Sequence, residues 1–300
     1  MGDPCAVLAI FAIFMLRQEA VAQFLEPNCG LTGISTKIMH GQIAEHGTNP
    51  WMAYIYKTIN RKETELVCGG SLIHKEFVLT AAHCILNDDI LAVRLGAYYS
   101  ESRSPSSRDY AVNKAFRNKL YSRGQHINDI GILRLVPEVQ FNAYIRPICI
   151  ITDPTKVPNV RTFKAAGWGK TENADMSREL RTVELNELEA SQCEQMFWVN
   201  LTESQICAGH SIRDTCSGDS GGPLVQTVHI DGRMRYAQFG IVSFGSSECR
   251  GHGVYTRVSS YIEWILRVVN TYSLHRRSNL QFRRQPNIYR NFRETKSEFI

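Results

Sequence analysis

Short apolar or alternating stretches recur along the chain, broken by Gly, Pro, Asn and Asp: Met52 to Lys57, Leu66 to Leu72, Phe77 to Thr80, Leu91 to Leu95, Ile130 to Val136, Thr162 to Ala166, Gly222 to Ile230, Met234 to Phe244 and Gly253 to Val258. Period-two alternation and short apolar runs bounded by turn residues are strand signals, so many of them in series predict an all-β sandwich or barrel. Asp231-Gly232 between two such runs predicts a tight hairpin, because Asp-Gly suits the turn that matches strand twist. One helix is predicted near the end. There Ile262, Ile265, Leu266 and Val269 repeat at helical spacing, and Ser260 with Glu263 forms a capping box. The periodicity stops at Asn270.

The first residues follow another pattern. Ala6 to Leu16 is an unbroken apolar run, followed by Ala20-Val21-Ala22. The run is too short to cross a bilayer as a helix, and small-x-small after it is the pattern of signal-peptide cleavage. Residues 1–22 therefore read as a signal peptide, 23–37 as a short leader, 38–270 as one body without internal repeats, and 271–300 as a tail. A hydrophobic content of 43% suffices for an ordinary core. The formal net charge of +5 sits in the tail, where Arg276, Arg277, Arg283, Arg284, Arg290, Arg293 and Lys296 face only Glu294 and Glu298. The body is then neutral, and nucleic acid is not an expected partner. The tail reads as a poorly ordered, solvated extension; the sharper alternative is attachment to acidic polysaccharide or a membrane surface.

Removing the signal peptide removes Cys5 and leaves Cys29, Cys68, Cys84, Cys149, Cys193, Cys207, Cys216 and Cys249. An even set behind a secretory signal reads as disulfides, and no C-x-x-C spacing points to zinc. Asn200-Leu201-Thr202 is the one N-x-S/T triplet and a candidate glycosylation site in a secreted chain.

Candidate chemistry lies in three segments. Gly218-Asp219-Ser220-Gly221-Gly222-Pro223 sets a serine among glycines, where the hydroxyl is reachable and neighbouring N–H groups can converge on one oxygen, as acyl transfer requires. The same string fits the nucleophile elbow of esterases and lipases, but their βαβ alternation is missing and the partner residues here lie upstream. His83, in Leu79-Thr80-Ala81-Ala82-His83-Cys84, stands at a strand end beside a cysteine that could anchor a general base. Asp129, in Asn128-Asp129-Ile130, precedes an apolar strand and taken alone reads as a turn residue.

These segments, with Gly167-Trp168-Gly169 and Gly253-Val254-Tyr255-Thr256-Arg257-Val258 and the order His83, Asp129, Ser220, resemble the chymotrypsin and trypsin family of serine peptidases over nearly all of 38–270. The resemblance implies two six-stranded antiparallel β-barrels packed face to face with a C-terminal helix, and neither cofactor nor metal. It gives Ser220 the role of nucleophile, His83 that of proton carrier and Asp129 that of orienting acid, with backbone N–H groups of Gly218 and Ser220 as the oxyanion hole. Asp214 falls at the floor of the primary pocket, implying protein substrates cut after Lys or Arg; Gly245 and Gly253 keep that pocket open, and Ser243 to Gly245 pair with substrate backbone. Cleavage after Lys37 would free the Ile38 amine to pair with Asp219. The implied disulfides are Cys68 with Cys84, Cys193 with Cys207, Cys216 with Cys249 and Cys29 with Cys149, the last keeping the leader attached. That arrangement is similar to secreted insect cascade proteases, here without a clip domain, with an activating trypsin-like protease, serpin-type or other protein inhibitors and a monomeric state implied. Three features depart from the family: His40 in place of a second glycine, Phe244 in place of a usual Trp, and the short loop Arg250 to His252. A digestive trypsin and a non-catalytic homologue acting as a binding module remain the alternatives.

Overall fold

The computed structural model describes residues 23–32, 43–59, 63–85, 90–100, 104–171, 174, 176–210, 218–230, 232–246, 251–280 and 297–299. Two closed antiparallel β-barrels of six strands each organise the chain. The first contains β1 (Met52–Ile59), β2 (Glu63–His74), β3 (Phe77–Thr80), β4 (Leu91–Leu95), β5 (Arg108–Arg117) and β6 (Gly131–Val136) in the order β5-β4-β1-β2-β3-β6, with β6 pairing back to β5. The second contains β7 (Thr162–Gly167), β8 (Arg181–Glu187), β9 (Gln205–His210), β10 (Pro223–Ile230), β11 (Arg233–Gly245) and β12 (Gly251–Arg257), closed as β10-β11-β12-β9-β8-β7. Closure pairs the first and last strands of each barrel and so leaves little of the bare edge on which open sheets aggregate.

The apolar runs become strands because they fill these interiors. All of β3 is buried, and Ile55, Leu72, Val93, Leu95, Phe116, Ile132 and Leu135 are sealed in the same cluster. That cluster also takes in Trp168, Val225 and Ile241 from the second half of the chain, so the barrels share apolar surface. Ile230 pairs with Arg233, which gives the expected hairpin a two-residue loop.

Three strands and a helix escape the apolar pattern. In β5 only Tyr110, Val112 and Phe116 are buried, among charged outward residues and across a register shift between Val112 and Lys114. A bulge of this kind interrupts the alternation by which strands are recognised. β8 and β9 are short and largely polar or small. Helix α1 (Ala190–Phe197) buries only Cys193, whose bond to Cys207 pins it to β9.

Ser260, expected to cap the last helix, lies inside a 3-10 turn (Val258–Tyr261) that runs directly into α2 (Ile262–Leu280). Ile262, Ile265, Val268 and Val269 are buried, each contributing about 2 kcal/mol through apolar area removed from water. The helix continues beyond Asn270 because extending a helix costs far less than starting one, and Tyr272 packs on Phe116 with ring centroids 4.4 Å apart. In the tail, β13 (Ser297–Phe299) runs parallel to β5 beside Ala115 to Arg117, along an edge that β4, paired only with Arg108 to Ala111, leaves open.

The leader lies along the second barrel. Leu25 N–H donates to Ile150 O (3.1 Å), Gly30 N–H to Pro147 O (2.8 Å) and Tyr236 N–H to Gly30 O (3.0 Å). Cys29–Cys149 closes beside these bonds, and Arg235 donates to the carbonyls of Pro27 and Cys29.

Candidate active site

His83 stands on a 3-10 turn (Ala82–Cys84) at the end of β3. Buried Ala81 and Ala82 and the Cys68–Cys84 bond to β2 hold the turn. Its ring Nδ1 is 2.7 Å from Asp129 Oδ2, and its backbone N–H donates to Asp129 Oδ1 at 2.9 Å. Two bonds from one carboxylate to one residue define both ring position and tilt. Asp129 itself is fully buried, whereas the imidazole keeps 24% of its side-chain surface exposed.

The second barrel holds that buried carboxylate. Ser243 Oγ on β11 donates to Asp129 Oδ2 at 2.6 Å, and Thr256 Oγ1 on β12 donates to the Asp129 carbonyl at 2.9 Å. Such donors offset the cost of keeping a charge out of water. The preceding residue, Asn128, adopts φ of 56°, anchored by Tyr261 Oη donating to its Oδ1 and by its Nδ2 donating to Leu120 O. Ser243, read in the sequence only as part of a substrate-pairing strand, thus turns its hydroxyl inward to the acid. It sits at a register shift between Val242 and Phe244, an irregularity invisible to strand alternation.

Ser220 lies half-buried in a turn tied to both barrels. Gly69 N–H of β2 donates to Ser220 O (2.8 Å), Gly221 N–H to Val242 O (2.8 Å) and Gly222 N–H to Asp219 O (2.9 Å). Gly221 has φ of +78°, and a Cβ there would lie 2.6 Å from Gly69 O and 3.1 Å from Cys84 Sγ. The serine segment is therefore packed against the disulfide adjoining His83. Gly218 carries φ of +97°, a conformation few L-residues tolerate.

Asp219 turns the opposite way, its Oδ1 accepting from Gly169 N–H at 2.8 Å. The Gly167-Trp168-Gly169 motif has a physical reason here. Trp168 is sealed in the core with Nε1 donating to Tyr98 O, while a Cβ on Gly169 would stand 2.6 Å from the Asp219 carboxyl carbon. Gly245 and Gly253 face each other across β11 and β12. Lys37, Ile38, Asp214, Cys216 and Cys249 lie outside the described residues.

Two neighbours were not singled out by the sequence reading. His126, at φ of 51°, packs on Phe244 with centroids 4.7 Å apart. Burial lowers its pKa below the usual imidazole range, opposed by Asp129 and reinforced by His83 and Arg123. Burial, with Asp129 adding to it, pushes the Tyr121 phenol up to about 12, and its hydroxyl has no partner among the described residues. Position three before the acid was the only sequence signal for His126. Cys68, His83 and Cys84 cluster at metal-ligand spacing, but the two sulfurs are bonded to each other. No described helix is long and apolar enough to cross a membrane.

Comparison with known proteins agrees with this geometry. The trypsin family model matches residues 38–265. The chain is 36% identical over 263 residues to CLIP domain-containing serine protease B15 of Anopheles gambiae, covering 80% of this chain and 71% of that one. It is 34% identical to the clotting factor G beta subunit of Tachypleus tridentatus, covering 83% and 85%. The crystal structure of the Drosophila Grass clip serine protease of the Toll pathway superposes with a TM-score of 0.72 at 29% identity, covering 86% of this chain and 78% of that one. A barrel pair with a buried acid on a histidine and a glycine-bound serine alongside, matched by the family model over most of its length, makes this chain a member of the trypsin family of serine endopeptidases.

Proposed function

We propose that the chain is a secreted zymogen of a trypsin-like endopeptidase of the extracellular cascade type, with His83, Asp129 and Ser220 as one catalytic unit. The observation that carries this reading is the meeting of three segments at the barrel interface: Asp129 bonded to His83, and the Ser220 turn bonded to Gly69 and packed on Cys84. In the reaction, His83 removes the proton of Ser220 Oγ as that oxygen attacks the scissile carbonyl, then returns it to the leaving amine; Asp129 orients and stabilises the imidazolium. The N–H groups of Gly218 and Ser220 take the developing oxyanion. Asp214 selects Lys or Arg on the carbonyl side of the cut, because a carboxylate withdrawn from water favours a cationic guest.

Cleavage after Lys37 by an upstream trypsin-like protease would free the Ile38 amine to reach Asp219, whose carboxylate borders the glycine-lined space beside Gly169. The leader stays attached through Cys29–Cys149. Likeness to relatives named for clotting and for the Toll pathway supports a cascade role. The expected partners are protein substrates, the activating protease and serpin-type or other protein inhibitors, with the basic tail binding acidic polysaccharide.

The test is labelling by a fluorophosphonate after cleavage at Lys37. Label should appear on Ser220 and vanish in Ser220→Ala; correctly cleaved protein that takes no label would favour a binding module instead. A peptide-library profile should give cuts after Lys and Arg, and a preference for aromatic or small residues would overturn the role of Asp214.

A further inference from the structure

Trp198 is the most exposed large apolar side chain described, with 93% of its surface in solvent. It is also in the wrong backbone conformation for its type. As C-cap of α1 it adopts φ 57° and ψ 43°, the left-handed region that normally falls to glycine at a helix end. The chain then folds back on the helix. Val199 N–H reaches Glu194 O at 3.4 Å, and Leu201 N–H donates to Glu194 Oε1 at 3.0 Å. An indole this open to solvent offers a flat apolar face to a neighbouring group.

The next residues supply a candidate partner for that face. Asn200-Leu201-Thr202 begins two positions after Trp198. Asn200 and Thr202 are both exposed, and the loop that carries them is closed by Cys193–Cys207. Two residues separate Cα atoms by at most about 7 Å, which is the reach of one sugar ring extending from an asparagine amide. A pyranose has one face of C–H groups, and the indole face is electron-rich, so the two stack favourably while the sugar hydroxyls stay in water.

We infer that Asn200 carries an N-linked glycan whose first sugar lies on the exposed indole of Trp198. The tryptophan is thus a carbohydrate platform within the chain, and the sugar covers its exposed indole. The inference rests on the secretory part of the proposed function, since only a chain passing through the secretory route meets the transferase.

The experiment uses full-length protein secreted from insect cells, as wild type, Trp198→Ala, Trp198→Phe, Asn200→Gln and the Trp198→Ala/Asn200→Gln double variant. Peptide mass mapping should find glycan on Asn200. Trp198→Ala should lower Tm in the glycosylated background and not in the Asn200→Gln background, a coupling of about 2–4 °C for a contact of this size. Trp198→Phe should retain most of it. Acrylamide should quench tryptophan emission more strongly in Asn200→Gln than in wild type, because the other three tryptophans do not share this exposure. An unmodified Asn200 in secreted protein, equal Tm changes in both backgrounds, or equal quenching would each overturn the inference. Fluorophosphonate labelling of the same samples reports on the peptidase reading separately.

Discussion

Removing one hydroxyl, in Ser243→Ala, isolates what the second barrel contributes to the buried acid. Ser243 Oγ lies 2.6 Å from Asp129 Oδ2, the oxygen that also faces His83 Nδ1 at 2.7 Å, and both Asp129 and Ser243 are buried. A bond to a charged buried acceptor is worth about 1.5–3 kcal/mol. For a domain of this size a kilocalorie moves Tm by about 2–4 °C, so Tm should fall by roughly 3–12 °C. The fraction of that energy still operating when the imidazolium forms appears in kcat, with roughly 10- to 150-fold as its ceiling and KM little changed. Thr256→Val is the internal comparison. It removes a neutral bond to the Asp129 carbonyl, worth about 0.5–1.5 kcal/mol, and leaves the carboxylate untouched. Differential scanning calorimetry of both variants, with peptide hydrolysis after activation, checks the ranking. A Ser243→Ala enzyme as stable and as active as its parent, or one less affected than Thr256→Val, would refute the claim that this bond holds the acid.

Further outcomes are equally definite. Gly221→Ala combines φ of +78° with a Cβ 2.6 Å from Gly69 O; secreted yield should collapse, and any protein recovered should fail active-site titration. Ile265→Ala empties a fully buried position under α2 and should cost about 2–5 kcal/mol in denaturant unfolding. His74 has its pKa lowered chiefly by burial, with Lys75 adding to this and Glu76 and Glu138 opposing it; its Nδ1 accepts from Glu76 N–H at 3.2 Å, which requires the neutral ring. The unfolded chain then binds the proton first, so this contribution is complete above the ordinary histidine range near pH 6.5 and is lost as pH falls from there toward the depressed folded value. His126 acts in the same direction. His74→Asn, which keeps an acceptor without the titration, should flatten part of the Tm profile between about pH 5 and 7; a profile identical to wild type would refute the assignment.

Strands with continuous apolar runs were legible in the sequence because barrel filling dictates them: β3, β4 and β6 lie where Phe77 to Thr80, Leu91 to Leu95 and Ile130 to Val136 predicted. β5 and β8 were not, since each buries few side chains, and β9 was not because the residues it buries, Gln205 to Gly209, are mostly small or polar. Ser260 marked the start of the last helix within two residues, but a 3-10 turn took the place of its cap.

What the sequence by itself determined is chemistry and local order: a hydroxyl among glycines, an imidazole at a strand end beside a cysteine, a carboxylate before an apolar strand. Only the tertiary structure decided who serves whom. Ser243 and Thr256 reach Asp129 from a different barrel, Asp219 turns toward Gly169 while the next residue turns toward Gly69, and His126 comes to rest on Phe244. These contacts join positions far apart in the chain, and their partners are chosen by how two closed barrels present their edges to each other, which no local pattern encodes.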